Sequence, residues 1–229
     1  MSSTNDLAKE LAEKRCEEFI VLAESQTSGR GRNERSWYSP PGGLYFSLVL
    51  RPDFDFDKYP LIGLAMGLAI AQILDDLGIE AKLKWPNDVL VNDKKIAGIL
   101  AESKHNYFVV GVGVNVNNYD FPDDLRATSL STELGDVLST KWLMVKILKS
   151  FEGFYVRILK GVKELIDEYR GRSSLIGKEV EVDLGNGTVE GRADIDDRGR
   201  LILTRGGFRR VVGAGEITKV KRAEGGKNR

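Results

Sequence analysis

Apolar residues recur three and four apart at Leu7, Ala8, Leu11 and Ala12, behind the cap-forming run Ser3-Thr4-Asn5, which predicts a helix over about 4–15. Phe19-Ile-Val-Leu-Ala23 is a short apolar run of the kind found in buried strands. From Ser25 to Gly43 no apolar period is visible, and Gly, Arg, Ser and Pro dominate. A structureless stretch of that length inside a compact chain is a functional or mobile loop. A strand follows at Leu44-Tyr-Phe-Ser-Leu-Val-Leu50, then a helix from about Pro60 to Leu77, apolar on every side and stopped at Gly78. Its apolar core, Leu61 to Leu74, falls short of the roughly 20 residues a bilayer crossing takes, so Gly63 and Gly67 read as close-packing positions in a buried helix.

Segments 81–85, 88–91, 95–103 and 107–116 are β-rich and joined by tight turns such as Asn92-Asp93-Lys94, an antiparallel meander with helices elsewhere to cover it. Ser139-Thr140 caps a long helix to about Leu159, and another covers 162–170. After Ser173-Ser174 the spacing tightens. Short strands at 178–184, 188–195, 200–204 and 208–212 are separated by Gly185-Asn186-Gly187, Asp196-Asp197-Arg198-Gly199 and Gly206-Gly207. The reading is an α+β chain: a mixed or antiparallel sheet covered by helices over 1–173, and a small SH3-like β-barrel over 174–229 whose tail from Ala223 is frayed.

Lys plus Arg and Asp plus Glu each number 34, so no whole-chain field draws in nucleic acid or an anionic membrane. Cys16 is the single cysteine, which precludes an intramolecular disulfide, fits a reducing compartment and reads as a small core residue. The N-terminus has no signal-peptide pattern.

Four segments carry chemistry. Gln26-Thr-Ser-Gly-Arg-Gly-Arg-Asn-Glu-Arg-Ser-Trp37 places three arginines on a backbone loosened by two glycines, suited to an anion, with a solvated basic loop or a nucleic-acid contact as alternatives. Lys84 ends a short strand at Pro86, where regular pairing stops. It either pairs with an anion or snorkels to solvent. In Gly111-Val-Gly-Val-Asn-Val-Asn117 the glycines mark a close approach or a bulge, and Asn115 offers both donor and acceptor. Gly98, in Lys95-Ile-Ala-Gly-Ile, leaves room over the sheet for a flat group, or for packing.

In order and spacing these segments, with Ser3-Thr4-Asn5, resemble the biotin protein ligase family over nearly the whole chain. The resemblance implies the class II synthetase-like biotin–lipoyl ligase fold, biotin as substrate, ATP and Mg²⁺, and transfer through biotinoyl-AMP to the acceptor lysine of a biotin carboxyl carrier protein. By the same resemblance Lys84 and Arg32 are catalytic, Lys84 bridging the biotin carboxylate and the α-phosphate. Ser3, Thr4, Gln26, Gly29, Arg30, Trp37, Lys84, Gly98 and Gly113 would bind biotin, with Trp37 as an apolar lid. Arg32, Arg35, Trp37, Lys84, Asn87 and Asn115 would bind ATP, with Mg²⁺ held mainly by phosphates. The loop would order over the ligand and exclude water from the labile intermediate.

It further implies a cytoplasmic homodimer. With no helix-turn-helix before the first motif, and with balanced charge, neither repressor activity nor nucleic-acid or membrane binding is expected. Glu34 stands where many members carry glycine. A lipoate ligase is the nearest rival, but its glycine-rich motif commonly includes histidine, and the single histidine here is His105. A nucleic-acid-binding module built on Arg30–Arg35 is the rival of another class.

Overall fold

A computed structural model describes residues 1–33, 35–52, 58–104, 106–185, 187–213 and 215–220. Glu34, His105, Asn186 of the expected turn and the tail from Ala223 lie outside the described residues.

The first sheet has six strands, all antiparallel, in the order β1-β2-β6-β5-β4-β3. They are β1 (Phe19–Ala23), β2 (Leu44–Leu50), β3 (Lys82–Lys84), β4 (Asp88–Val91), β5 (Lys94–Lys104) and β6 (Tyr107–Val114). Asn92 and Asp93, at φ 50 and 60, turn β4 into β5 in the left-handed conformation their short polar side chains tolerate.

Strand alternation divides this sheet into two faces. Leu44, Phe46, Leu48 and Leu50 of β2, Phe108, Val110, Val112 and Val114 of β6, and Leu83 and Val89 point into the main core. That side is covered by α2 (Tyr59–Asp76), which is apolar all round because α4 (Thr140–Lys160) packs over its outer side. α2 is long and apolar enough to cross a membrane, yet 72 % of it is buried inside the protein. Gly67 lets the sheet side chains Leu83 and Ile99 approach the helix axis, the packing role expected of it. On the opposite face α1 (Thr4–Lys14) buries Ala8 and Ala12 against Val21, Val49, Tyr107 and Val109. Ser3 caps α1 by accepting from the Asp6 amide.

Two readings are corrected here. The run at Phe19 is an edge strand rather than a buried one, with Ile20 and Leu22 40 % and 50 % exposed. Its apolar residues cover α1 on one side only. Cys16 is exposed, in the segment that leaves α1, and is not a core residue.

α5 (Lys163–Arg172) leads into a second sheet of five strands, ordered β10-β9-β8-β7-β11. They are β7 (Glu179–Asp183), β8 (Thr188–Ile195), β9 (Leu201–Arg205), β10 (Phe208–Val212) and β11 (Glu216–Val220). β11 and the one-turn helix α3 (Leu130–Leu134) escaped the sequence reading because each is only five residues long. Residues of the second sheet, Val180, Ala193, Ile195 and Leu201 among them, share one buried cluster with α2.

Candidate active site

The polar face of the first sheet is the floor of a cavity of about 300 Å³, within the range of small-molecule sites. Register explains the floor. Lys84 opposes Asp88, Asp88 opposes Gly98, Gly98 opposes Gly113, and Gly113 opposes Tyr45, forming one row across five strands. Beside it runs a second row, Leu100–Gly111–Ser47. Glycine at 98, 111 and 113 lowers the floor by a side chain's height.

What fills that space is protein. The indole of Trp37 lies directly over Gly98 and Gly113, where a Cβ on either would collide with it. Asn5 lies over Gly111 in the same manner. The room expected above Gly98 for a flat ligand is thus occupied by the indole. In this structure the Trp37 indole packs on the glycine floor. Among the described residues its buried Nε1 has no hydrogen-bond partner.

At one part of the wall sits a polar network at the start of α1. Gln26 Oε1 accepts from the Thr4 amide (2.8 Å) and the Thr4 hydroxyl (3.1 Å), while Gln26 Nε2 donates to Ser39 (3.0 Å). Ser47 Oγ lies 2.8 Å from Thr4 Oγ1 and 2.6 Å from Asn5 Oδ1. These groups hold each other in place before any ligand arrives. Tyr45 extends the bracing. Its hydroxyl donates to the Pro40 carbonyl (2.8 Å) and accepts from Asn118 (3.3 Å), and burial pushes it up to about 12, so it keeps its proton.

The rest of the wall is cationic. Arg30, Arg32, Arg35, Lys84, Lys95 and Arg126 line the cavity, against one carboxylate, Asp88, among the described lining residues. The Lys95 ammonium stands 2.7 Å from Asp88 Oδ1 and 4.9 Å above the Trp37 ring, over the glycine floor. Neither Lys95 nor Asp88 was singled out in the sequence. Lys95 opens the Lys-Ile-Ala-Gly-Ile segment and Asp88 closes Lys-Trp-Pro-Asn-Asp, but strand register is needed to see them meet over Gly98.

Of the residues expected at the site, Ser3, Thr4, Gln26, Arg30, Arg32, Arg35, Trp37, Lys84, Asn87, Gly98, Gly113 and Asn115 line the same cavity. Gly29 does not. It is pressed against the Trp37 carbonyl and the Ser39 hydroxyl, so glycine is needed there for loop packing. Arg30 reaches the rim, where its guanidinium donates to Asp6 (2.5 Å) and lies 3.9 Å from Glu102, which Lys9 also holds. Burial pushes the Asp6 carboxyl up, but the Arg30 hydrogen bond and charge, with Lys9, outweigh it and hold it below its usual value. Asn115 is buried and uses its amide to donate to the Thr128 (3.0 Å) and Lys95 (3.3 Å) carbonyls, which braces the segment carrying Leu125, Arg126 and Ala127. Arg32 donates to the Gly215 carbonyl of the second sheet (3.3 Å), and Gly215 and Ile217 complete the wall.

With Asp88 taken by Lys95, the described lining residues do not assemble a carboxylate cage. No group of three or more His, Cys, Asp or Glu able to hold a metal occurs among the described residues. The donor set suits a metal carried on a polyanion rather than one bound by the protein alone.

The model of the biotin/lipoate A/B protein ligase family matches residues 1–117, and that of the biotin protein ligase C terminal domain matches residues 175–220. The chain is 38 % identical to the bifunctional ligase/repressor BirA of Bacillus subtilis over 93 % of its own length and 70 % of that protein. It is 32 % identical to the biotin–[acetyl-CoA-carboxylase] ligase of Paracoccus denitrificans, with 94 % and 96 % covered. Among solved structures, the biotin protein ligase from Aquifex aeolicus in complex with biotin and ATP superimposes with a TM-score of 0.83 at 31 % identity, covering 97 % of this chain and 96 % of that one.

Proposed function

The chain belongs to the biotin/lipoate A/B protein ligase family and is a biotin protein ligase, activating biotin with ATP and transferring it to a carrier protein, and we propose how its cavity divides that work. In the first step a biotin carboxylate oxygen attacks the α-phosphorus of ATP. The bond to pyrophosphate breaks and biotinoyl-AMP forms. In the second the acceptor lysine's amine attacks the acyl carbon, AMP leaves, and the amine gives up a proton. The obstacle to the first step is repulsion between a carboxylate and a polyphosphate. The observation that carries the reading is six cationic side chains around one carboxylate in a single cavity of a chain with no net charge.

Lys95 is the better placed of the two lysines to bridge carboxylate and α-phosphate. It stands over the floor and Asp88 fixes its ammonium. Lys84, which opposes Asp88 across the β3–β4 pair, supports the phosphates with Arg32 and Arg35. Ser3, Thr4 and Gln26 present the polar end suited to the ureido ring, and Asn87 and Asn115 stand at the nucleotide end. The Trp37 indole, with its free donor, forms the surface between them. Arg32, Arg35 and Lys84 would face the polyphosphate, and a bound Mg²⁺ would supply further positive charge against the leaving pyrophosphate.

In this reading residues 1–173 form the catalytic unit and 174–229 an SH3-like unit. The unpaired edge β1, with Ile20 and Leu22 exposed, supports pairing of two copies into a homodimer. A lone exposed thiol at Cys16 supports a cytoplasmic setting, and the balanced charge supports an acceptor protein rather than nucleic acid or membrane as partner.

Calorimetric titration with biotin and then ATP, with pyrophosphate release as product assay and lipoate as control, tests the reading. The expected result is heat and turnover with biotin only. Turnover with lipoate and none with biotin refutes it.

A further inference from the structure

Besides Ile217 in the wall, two backbone carbonyls of the second sheet and its turns accept hydrogen bonds from residues at the nucleotide end of the cavity. On one wall Trp85, the residue between Lys84 and Pro86, is 2 % exposed and donates its indole N–H to the Gly199 carbonyl at 3.1 Å. On the other, Arg32 donates to the Gly215 carbonyl at 3.3 Å. Neither acceptor can drift.

Gly199 sits at φ +77 at the tip of the β8–β9 hairpin. A side chain there would press on Leu61 and Leu64 of α2, so the tip is wedged against the core helix. The buried Asp196 shapes that tip, accepting from the amides of Arg198 (3.0 Å) and Arg200 (2.8 Å) and from the Arg200 guanidinium (2.8 Å). Gly215 is pressed against Val182 and the Asp183 carbonyl of β7, which fixes its carbonyl from behind.

The strand carrying Lys84 breaks regular pairing after Lys84, so Trp85, Pro86 and Asn87 lack the ladder that holds their neighbours. The Asn87 amide bonds back to Lys84 (3.2 Å) within its own turn, and the Asn87 carbonyl accepts from the Ile99 amide of β5 (2.9 Å). The strand before it is tied to Ser174, whose amide donates to the Leu83 carbonyl (2.8 Å), and the bond to Gly199 ties the turn itself to the second sheet.

We propose that Trp85 is a positioning residue, through which the second sheet sets Lys84 and Asn87 on one wall at a fixed distance from Arg32, itself held by Gly215 on the facing wall. The second sheet is then a brace across the nucleotide end, and the biotin end at Ser3, Thr4 and Gln26 is independent of it. This rests on the assignment of Lys84, Asn87 and Arg32 to the nucleotide.

Steady-state kinetics of biotinoyl-AMP formation test the brace in the full chain, with two variants. Trp85→Phe deletes the donor and keeps the aromatic body. Asp196→Ala loosens the hairpin tip without touching the cavity. Each should raise KM for ATP about 10-fold, the scale of one lost buried hydrogen bond, and leave KM for biotin unchanged. A purely structural role would lower the melting temperature and the active fraction but move neither KM. Equal shifts for both substrates, or no shift in KM for ATP in soluble Asp196→Ala, overturn the proposal. If Trp85→Phe fails to fold, Asp196→Ala alone decides. An inactive wild type with biotin and ATP instead sinks the functional reading on which the brace depends.

Discussion

The two faces of the six-stranded sheet use different residues for different ends. Toward α2 the inward positions are apolar side chains, large except at Ala97 and Ala101, and they share one buried cluster with the helix. Toward the cavity the same strands carry Lys84, Asp88, Gly98, Gly111, Gly113 and Ser47, beside the smaller apolar patch of Val21, Val49, Tyr107 and Val109 that α1 covers. One backbone presents both because side chains alternate. The larger core lies on one face and the chemistry on the other, so damage to each should be separable.

The largest effect tests the dry face. Leu68→Ala, in a fully buried position of α2, should lower unfolding free energy by about 2–5 kcal/mol in denaturant titration while leaving turnover per folded molecule intact. A parallel fall in turnover would mean the faces are not independent. On the wet face Lys95→Ala should cut pyrophosphate release by about 100-fold or more with an unchanged melting temperature, the scale of one lost preorganised electrostatic group. Lys84→Ala should cost less. The reverse order returns the bridging role to Lys84.

The smallest effect sits at the rim. Asp6 titrates below its usual value in the folded chain, so its pairing with Arg30 stabilises at neutral pH and fades as pH falls through that lowered value. Asp6→Asn should reduce stability by at most about 1 kcal/mol near neutrality, with the gap to wild type closing in acid. A gap that persists under acid conditions would break the sign of that assignment.

The dry face was legible in the sequence. Leu44–Leu50 and the all-apolar helix announce themselves by period and length, and Ser3, Gly78 and Ser139 mark their helix ends. The motif residues of the wet face were legible as a set, since twelve of those expected line one cavity. Their arrangement was not. The Asp88–Lys95 contact depends on register across a turn. Trp37 lying over Gly98 and Gly113 joins residues far apart in the chain, and the Trp85–Gly199 bond joins two sheets. Cys16 was misjudged because the end of α1 leaves it outside both cores, which no local pattern reveals. Strand β1 was misjudged because a run of apolar residues does not say whether a neighbour covers both of its sides.

The unanswered N–H of Trp37 bears on affinity. A buried donor left unmatched costs roughly 1–3 kcal/mol, and among the described residues none accepts from Trp37 Nε1. A ligand oxygen that reaches the indole would answer that donor directly. Replacing Trp37 with phenylalanine, which keeps an aromatic body and removes that donor, should therefore weaken ligand binding in calorimetric titration.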